Sequence, residues 1–458
     1  MSDQQDLHVD VMVIGWGKGG KTLAGALAGA GRRVAMIERS REMHGGTCIN
    51  IGCVPTKALV HDSQQHGAAG DRERFAAAVT RRDALVEKLR AVNHAMLADR
   101  ETVTIVEGEA RFVGERVVEV TGGPERLRVS ADTVLVDTGA EAVLPDLPGI
   151  DHPRVHDCTS IQHPGELPGR VVVLGAGPIG LEFASLLRGF GSEVTLLDRR
   201  ERLLPAEDED VAAAVTSVLE GDGVRILHRA SATAIEDAGG LARVRVDVAG
   251  TEQVLEAEAV LVATGRRPAT AALDPEAGGI ALDGHGAIVV DEHLRTSVPG
   301  VWALGDVHGG AQQTYLSLDD HRVVLDQLLG DGERTTTDRV AVPATTFLTP
   351  PLASVGLTER AAREAGHEVR IGVAEVATIK AMPRPKAVGD PRGLVKIVVD
   401  AETDLVLGAR LFHVDAQEVV NLVALAMRTG TTATQLRDGI WTHPSSTEAL
   451  NEVLGALR

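Results

Sequence analysis

The chain has only three cysteines in 458 residues, and aromatic side chains make up just 2% of it. So few cysteines exclude the stapled framework of a small secreted domain. One tyrosine and three tryptophans form no pattern of stacking platforms. No apolar run reaches the length that spans a bilayer, so no membrane partner is expected. Cations are also in short supply, with 46 lysines and arginines against 65 aspartates and glutamates and a formal net charge of -19. Nucleic-acid affinity rests on cations that neutralise phosphates, and this balance argues against a nucleic-acid partner. The opening residues, MSDQQDLH, are polar and acidic. They read as a frayed tail, not a secretory signal, and a cytoplasmic protein is expected.

Glycine, by contrast, is placed with purpose. The β-branched run Val9 to Ile14 breaks into Gly15, Gly17 and Gly20, followed by a helical stretch (Thr22 to Ala30) and a strand (Val34 to Ile37). The same order recurs 160 positions later: Val171 to Leu174, then Gly175, Gly177 and Gly180, a helical stretch (Leu181 to Leu187) and a strand (Val194 to Leu197). An acid follows each third glycine by 18 positions, Glu38 in one unit and Asp198 in the other. Such a turn lets amides at a helix start approach a pyrophosphate, while the acid suits a ribose hydroxyl. One GxGxxG is weak evidence, because a plain turn explains it as well. Two in matching context predict two dinucleotides, FAD in one site and NADH in the other. Asp198 disfavours the 2′-phosphate of NADPH, although Arg199 and Arg200 keep NADPH possible.

The expected fold class is α/β, with two doubly wound Rossmann-like domains and a C-terminal α+β dimerisation domain. The expected divisions are 1–148 for FAD with the redox cysteines, 149–265 for NAD(P), 266–339 completing the FAD site and 340–458 for dimerisation. Strand character is also read at Ala287 to Val290, and a helical region from about Lys57 to Asp99.

Gly45 to Lys57 reads GGTCINIGCVPTK, with Cys48 and Cys53 near a helix start, where the dipole and free amides favour thiolate. Two inert buried cysteines are the bland alternative, and Cys158 fits that description. His61 and His66, five apart on a helix, would not share a face and read as structural. His443 gains a chemical reading from Glu448 nearby, since a carboxylate can fix an imidazole tautomer.

At these residues the sequence resembles the class I pyridine nucleotide-disulfide oxidoreductases. The likeness extends through GAGPIGLE (Gly175 to Glu182), ATGRRP (Ala263 to Pro268), VWALGD (Val301 to Asp306) and HPSSTE (His443 to Glu448). The resemblance implies that electrons pass from NADH through FAD to Cys53, and that Cys48 is the exchange thiol. It implies that Lys57, paired with Glu182, serves the flavin, and that His443, oriented by Glu448, shuttles the proton at Cys48 across a homodimer interface. It further assigns Gly46, Thr47, Ala110, Thr138, Gly139, Gly305 and Asp306 to the FAD site and Gly265 to cofactor binding.

The flanks Gly45 to His66, Thr314 to Arg322 and Thr349 to Glu359 are similar to the reactive-chlorine-resistance branch of that family, which implies reduction of copper(II) or a small reactive oxidant in oxidative-stress defence. Cys48 and Cys53 would then be soft ligands for the metal-ion acceptor. Trp441 stands where many members carry a first histidine in HxHP. No cysteine follows Cys158, which argues against mercuric reductase and large thioredoxin reductase. Dihydrolipoamide dehydrogenase, another disulfide reductase or a redox-sensing flavoprotein without turnover are the alternatives.

Overall fold

The structure is a computed structural model that describes residues 5–65, 70–123 and 126–458; His66 lies outside the described residues. Its contacts gather into two units, one comprising segments 5–58, 78–143 and 265–338, the other 59–77, 144–264 and 339–458.

The first unit is built on a sheet in the order β3-β2-β1-β6-β5-β4. These strands are β1 (Gln5–Ile14), β2 (Val34–Glu38), β3 (Val103–Glu107), β4 (Glu109–Gly114), β5 (Val117–Thr121) and β6 (Leu127–Val136). A short strand, Val301–Ala303, pairs in parallel with β6. Side chains alternate across the pleat of β1: Val11 and Val13 join one apolar cluster with helix α1 (Lys18–Gly29), while Met12 and Ile14 join another with Val134 and Val301. The β2-β1-β6 centre of this sheet is therefore parallel and buried on both faces, as a β-branched run without polar alternation requires, while β5 and β4 extend it antiparallel.

Two readings change here. The strand begins at Gln5, not Val9, because backbone pairing of Gln5 to Ser130-facing His8 with β6 extends it regardless of side-chain polarity. Ala287 to Val290 forms no strand, only an isolated bridge from Leu282 to Ile288. Its apolar side chains serve burial, with Ile288 in the core cluster, and no neighbouring strand offers a ladder. The region from Lys57 to Asp99 resolves into part of α3 (Cys53–Ser63) and α4 (Asp71–Ala98), preceded by the short α2 (Thr47–Asn50).

The second unit contains a five-stranded parallel sheet of Arg225–His228, Glu193–Asp198, Arg170–Leu174, Ala259–Val262 and Val155–His156. A three-stranded antiparallel sheet, Ala230–Asp237 with Ala242–Val248 and Thr251–Ala257, shares its core. Beyond residue 340, five antiparallel strands pack against the helices Ala416–Thr429 and Ala449–Gly455 around a separate cluster. Among the described residues no helix is long and apolar enough to cross a membrane.

Candidate active site

The first glycine turn lies at the C-terminal ends of parallel strands, where open α/β sheets bind ligands. Gly15 has φ +94°, and a side chain there would overlap the Asp137 carbonyl. Gly17 caps α1, and Gly20 lies in its first turn. Glu38 ends β2, buried, and accepts from the amides of Trp16 (3.0 Å) and Ser40 (3.3 Å). Burial raises its pKa against the pull of those two hydrogen bonds.

Gly46 caps α2, with Thr47 its first residue. Beyond β6, the Thr138 hydroxyl donates to Ala269 O at 2.9 Å, and the space in front of Gly139 is open. Gly305 donates its amide to Asp320 at 2.7 Å. The neighbouring Asp306 lies 3.9 Å from Arg266, with its pKa raised by burial. Ala110 stands in β4 with its methyl group in the core. A glycine turn, a buried acid at the next strand end and clearance at Gly139 form a set that fits an FAD.

The second turn repeats the geometry. Gly175 has φ +104° and presses on the Ala263 carbonyl, Gly177 caps the helix Pro178–Gly189, and Gly180 lies tight against Gly175 O. Open space lies in front of Gly177 and Gly265. Asp198, 1% exposed, receives the Arg200 amide (3.1 Å) and Nε (3.0 Å) on Oδ1, while its buried Oδ2 has no partner among the described residues. An orphaned buried carboxylate oxygen at a strand end fits a ribose hydroxyl. Arg200 is thereby turned onto Asp198. Glu182, on the same helix as Gly180, accepts the Phe347 amide at 2.8 Å.

Cys48 and Cys53 are free thiols, Cys48 partly buried within α2 and Cys53 exposed as the first residue of α3. The two sulfurs influence each other's titration in opposite directions. The neighbouring Cys53 sulfur, then burial, pushes the Cys48 thiol up. Cys48 in turn lowers Cys53, helped by the Thr314 hydroxyl and the Lys57 charge. The two thiols are thus driven in opposite directions, Cys48 up and Cys53 down. Among the described residues, no group of three or more His, Cys, Asp or Glu side chains is arranged to hold a metal ion.

His443 Nδ1 lies 2.9 Å from Glu448 Oε1, and Glu448 Oε2 accepts the Ser445 amide at 2.8 Å. Burial opposes charge on Glu448, but these two hydrogen bonds outweigh it and lower its pKa. The imidazole itself is exposed. Ser446, buried in the same loop, reaches Asp415 at 3.3 Å, and Arg384 holds that aspartate at 3.1 Å.

Several participants carry no sequence signal of their own. Thr314, more than 250 positions from the cysteines, puts its Oγ1 3.3 Å from Cys53 Sγ. Lys21 is buried, with Nζ on Gly45 O (2.9 Å) and Asn93 Oδ1 (2.5 Å), and burial lowers its pKa to about 8. Trp16 lies against His44 (4.3 Å between centroids), which in turn stacks on His94 at 4.9 Å, beside the cysteine loop. Asp137 is buried under the first glycine turn. An acid next to a phosphate-binding turn runs against the usual composition of such a place, and the segment VDTGA (Val136 to Ala140) gives no warning of it.

Two nucleotide turns and a dithiol at a helix start are the working parts of a flavin-dependent disulfide reductase. Residues 9–320 match the family model for pyridine nucleotide-disulphide oxidoreductase, and residues 342–454 match that family's dimerisation domain. The chain belongs to this family. It is a flavin-dependent oxidoreductase that uses FAD and NAD(P)H, and its C-terminal domain serves a homodimer.

The chain is 44% identical to RclA of Escherichia coli K12 over 448 residues, covering 98% of this chain and 99% of that one. A dihydrolipoyl dehydrogenase of Thermus scotoductus is 34% identical over 98% of this chain and 97% of its own length. A mercuric reductase of Bacillus cereus is 32% identical over 98% of this chain and 72% of its own length. The solved Cu(II) complex of the HOCl-induced flavoprotein disulfide reductase RclA from E. coli superposes with a TM-score of 0.93 at 43% identity, covering 98% of this chain and 99% of that chain. The fold is accordingly the two-nucleotide α/β architecture with a C-terminal dimerisation domain, and the enzyme is an RclA-like disulfide reductase.

Proposed function

We propose that this enzyme takes electrons from NADH into the Cys48–Cys53 disulfide and hands them to copper(II) or a small reactive oxidant, in defence against oxidative stress. The observation that carries the reading is the pair of free thiols at adjoining helix starts, Cys48 within α2 and Cys53 opening α3, with the Thr314 hydroxyl 3.3 Å from the Cys53 sulfur. The likeness to an HOCl-induced reductase solved with Cu(II) supports the choice of acceptor, and soft sulfur ligands suit copper(I).

Bound FAD supplies the two-electron relay between nicotinamide and sulfur. On this reading segments 1–148 and 266–339 hold it: Gly15, Gly17 and Gly20 face its pyrophosphate and Glu38 its ribose, with Gly46, Thr47, Ala110, Thr138, Gly139, Gly305 and Asp306 completing the site. Lys57 adds a cation on the flavin side. Segment 149–265 takes the nicotinamide nucleotide through Gly175, Gly177, Gly180, Glu182, Asp198 and Gly265. Asp198 favours NADH, because Arg200 is spent on that carboxylate and a 2′-phosphate would meet negative charge.

Cys48 is the thiol that meets the acceptor. His443, held by Glu448, takes and returns the proton there across the dimer contact formed by residues 340–458, so two chains complete each site. Two copper(II) ions accept one electron each, the S–S bond re-forms between Cys48 and Cys53, and the Cys48 proton leaves through His443.

The test is anaerobic copper(I) formation, followed with a copper(I)-selective chelator, in holoenzyme supplied with NADH and copper(II). The parent should turn over, and Cys48→Ser should fall to background. A Cys48→Ser protein as fast as the parent ends the proposal. Dihydrolipoamide oxidation is the second reading, favoured by the Thermus relative. Trp441, packed against the C-terminal core where many family members carry a histidine, weighs against it.

A further inference from the structure

Cys53 sits at the meeting point of two helix starts. It is the first residue of α3, and its sulfur lies 3.3 Å from the hydroxyl of Thr314, the first residue of the 16-residue helix Thr314–Leu329. That second helix is fixed in place by buried bonds further along it. Ser317 Oγ accepts the Gly19 amide at 2.9 Å, and Asp320 accepts the Gly305 amide at 2.7 Å. Thr314 therefore presents its hydroxyl from a rigid element, which is the condition for a preorganised donor.

A hydroxyl both donates and accepts, but a thiolate only accepts. Once Cys53 carries the charge, the bond has one polarity, with Thr314 donating to sulfur. Cys48, beside it, is pushed the other way, up, by Cys53 and by burial. The other groups facing Cys53 are Lys57 on its own helix and Tyr315 beside Thr314. The Tyr315 phenol is pushed up to about 12 by burial and by the charge on Cys53, so it stays neutral.

We propose that Thr314 is a further catalytic residue, whose hydroxyl donates to the Cys53 sulfur in the reduced enzyme and thereby stabilises negative charge there. The electron pair supplied by NAD(P)H through the flavin cleaves the S–S bond, one proton is taken up on Cys48, and the remaining negative charge stays on Cys53 under the Thr314 hydroxyl. The assignment rests on Cys48 and Cys53 being the redox pair.

The experiment follows the long-wavelength thiolate-to-flavin absorption of anaerobically reduced holoenzyme as a function of pH, in the parent and in Thr314→Val, Thr314→Ala and Thr314→Ser. Loss of the donor should raise the apparent pKa of that band by about one unit in the Val and Ala variants, since a hydrogen bond to the charged form favours it by about that much. The Ser variant, which keeps the hydroxyl, should stay close to the parent. Iodoacetamide alkylation of Cys53 at fixed pH, which needs no flavin signal, should slow roughly tenfold in the same two variants. Val and Ala variants that titrate and alkylate like the parent overturn the role of Thr314. A parent that develops no such band overturns the redox-pair assignment beneath it, so the two failures are told apart.

Discussion

His443 Nδ1 stands 2.9 Å from Glu448 Oε1, and the second oxygen of that carboxylate is fixed by the Ser445 amide at 2.8 Å. The contact places the proton on Nδ1 and leaves the Nε2 lone pair to serve as the base on the proposed reading. Glu448→Gln keeps the shape but lets the tautomer wander, so turnover should fall roughly 10- to 100-fold with little change in thermal stability. Steady-state rates beside a melting curve check this, and a rate equal to the parent's contradicts the assignment.

On the proposed reading, Asp198 carries the nucleotide preference. With Oδ1 engaged by Arg200 and Oδ2 unpartnered, Asp198→Asn removes a charge-assisted acceptor worth about one factor of ten in binding. KM for NADH should rise by about that factor with kcat nearly unchanged, the mark of lost uniform binding. The ratio of NADPH to NADH activity should rise at the same time. Parallel kinetics with both nucleotides decide it.

Asp137 is a buried acid in an unfavourable place. Burial, then the charges of Asp320 and Asp306, lift its pKa well above the ordinary 3.8, against the pull of the Gly20 amide. The folded state holds a proton that the unfolded chain releases, so this group's contribution is lost as pH rises from about 4 through the folded pKa. Asp137→Asn should stabilise the protein at pH 8 by on the order of 2 kcal/mol and flatten the alkaline decline in urea-unfolding midpoints. A variant that is less stable at pH 8 and equally pH-dependent refutes this.

His413 acts in the opposite pH direction. It is fully buried, its Nδ1 lies 2.7 Å from Val414 O, and burial lowers its pKa to about 4 against the pull of that hydrogen bond and of the Asp415 charge. Unfolding frees it to bind a proton at the ordinary value of 6.5. Its stabilising effect is complete above about 6.5 and is lost as pH falls toward 4, by about 3 kcal/mol in all. His413→Asn should lose that acid slope between pH 7 and 5, and an unchanged slope would place the effect elsewhere.

The parts of this molecule readable from its sequence are those where backbone geometry dictates residue type. Gly15 and Gly175 each combine positive φ with a neighbouring carbonyl that excludes a side chain, so both nucleotide turns were visible as spaced glycines. Cys48 and Cys53 were equally visible, because a helix start with two sulfurs close in sequence has few other uses. Ala287 to Val290 misled because a buried loop and a strand call for the same apolar residues. The polar start of β1 misled because ladder bonds, not side chains, hold it. Thr314 and Asp137 were invisible for another reason: each matters through a contact with a residue more than 100 positions away, and nothing local marks a threonine or an aspartate for such service.

Electron flow into sulfur is most directly tested by adding NADH stepwise, without oxygen, to purified flavin-loaded protein while counting alkylatable thiols. The account predicts that the flavin's visible absorption shifts to a long-wavelength shoulder as Cys48 and Cys53 become newly reactive, and that Cys53→Ser abolishes the shoulder. Bleaching of the flavin with no gain in reactive thiol at either cysteine would contradict it.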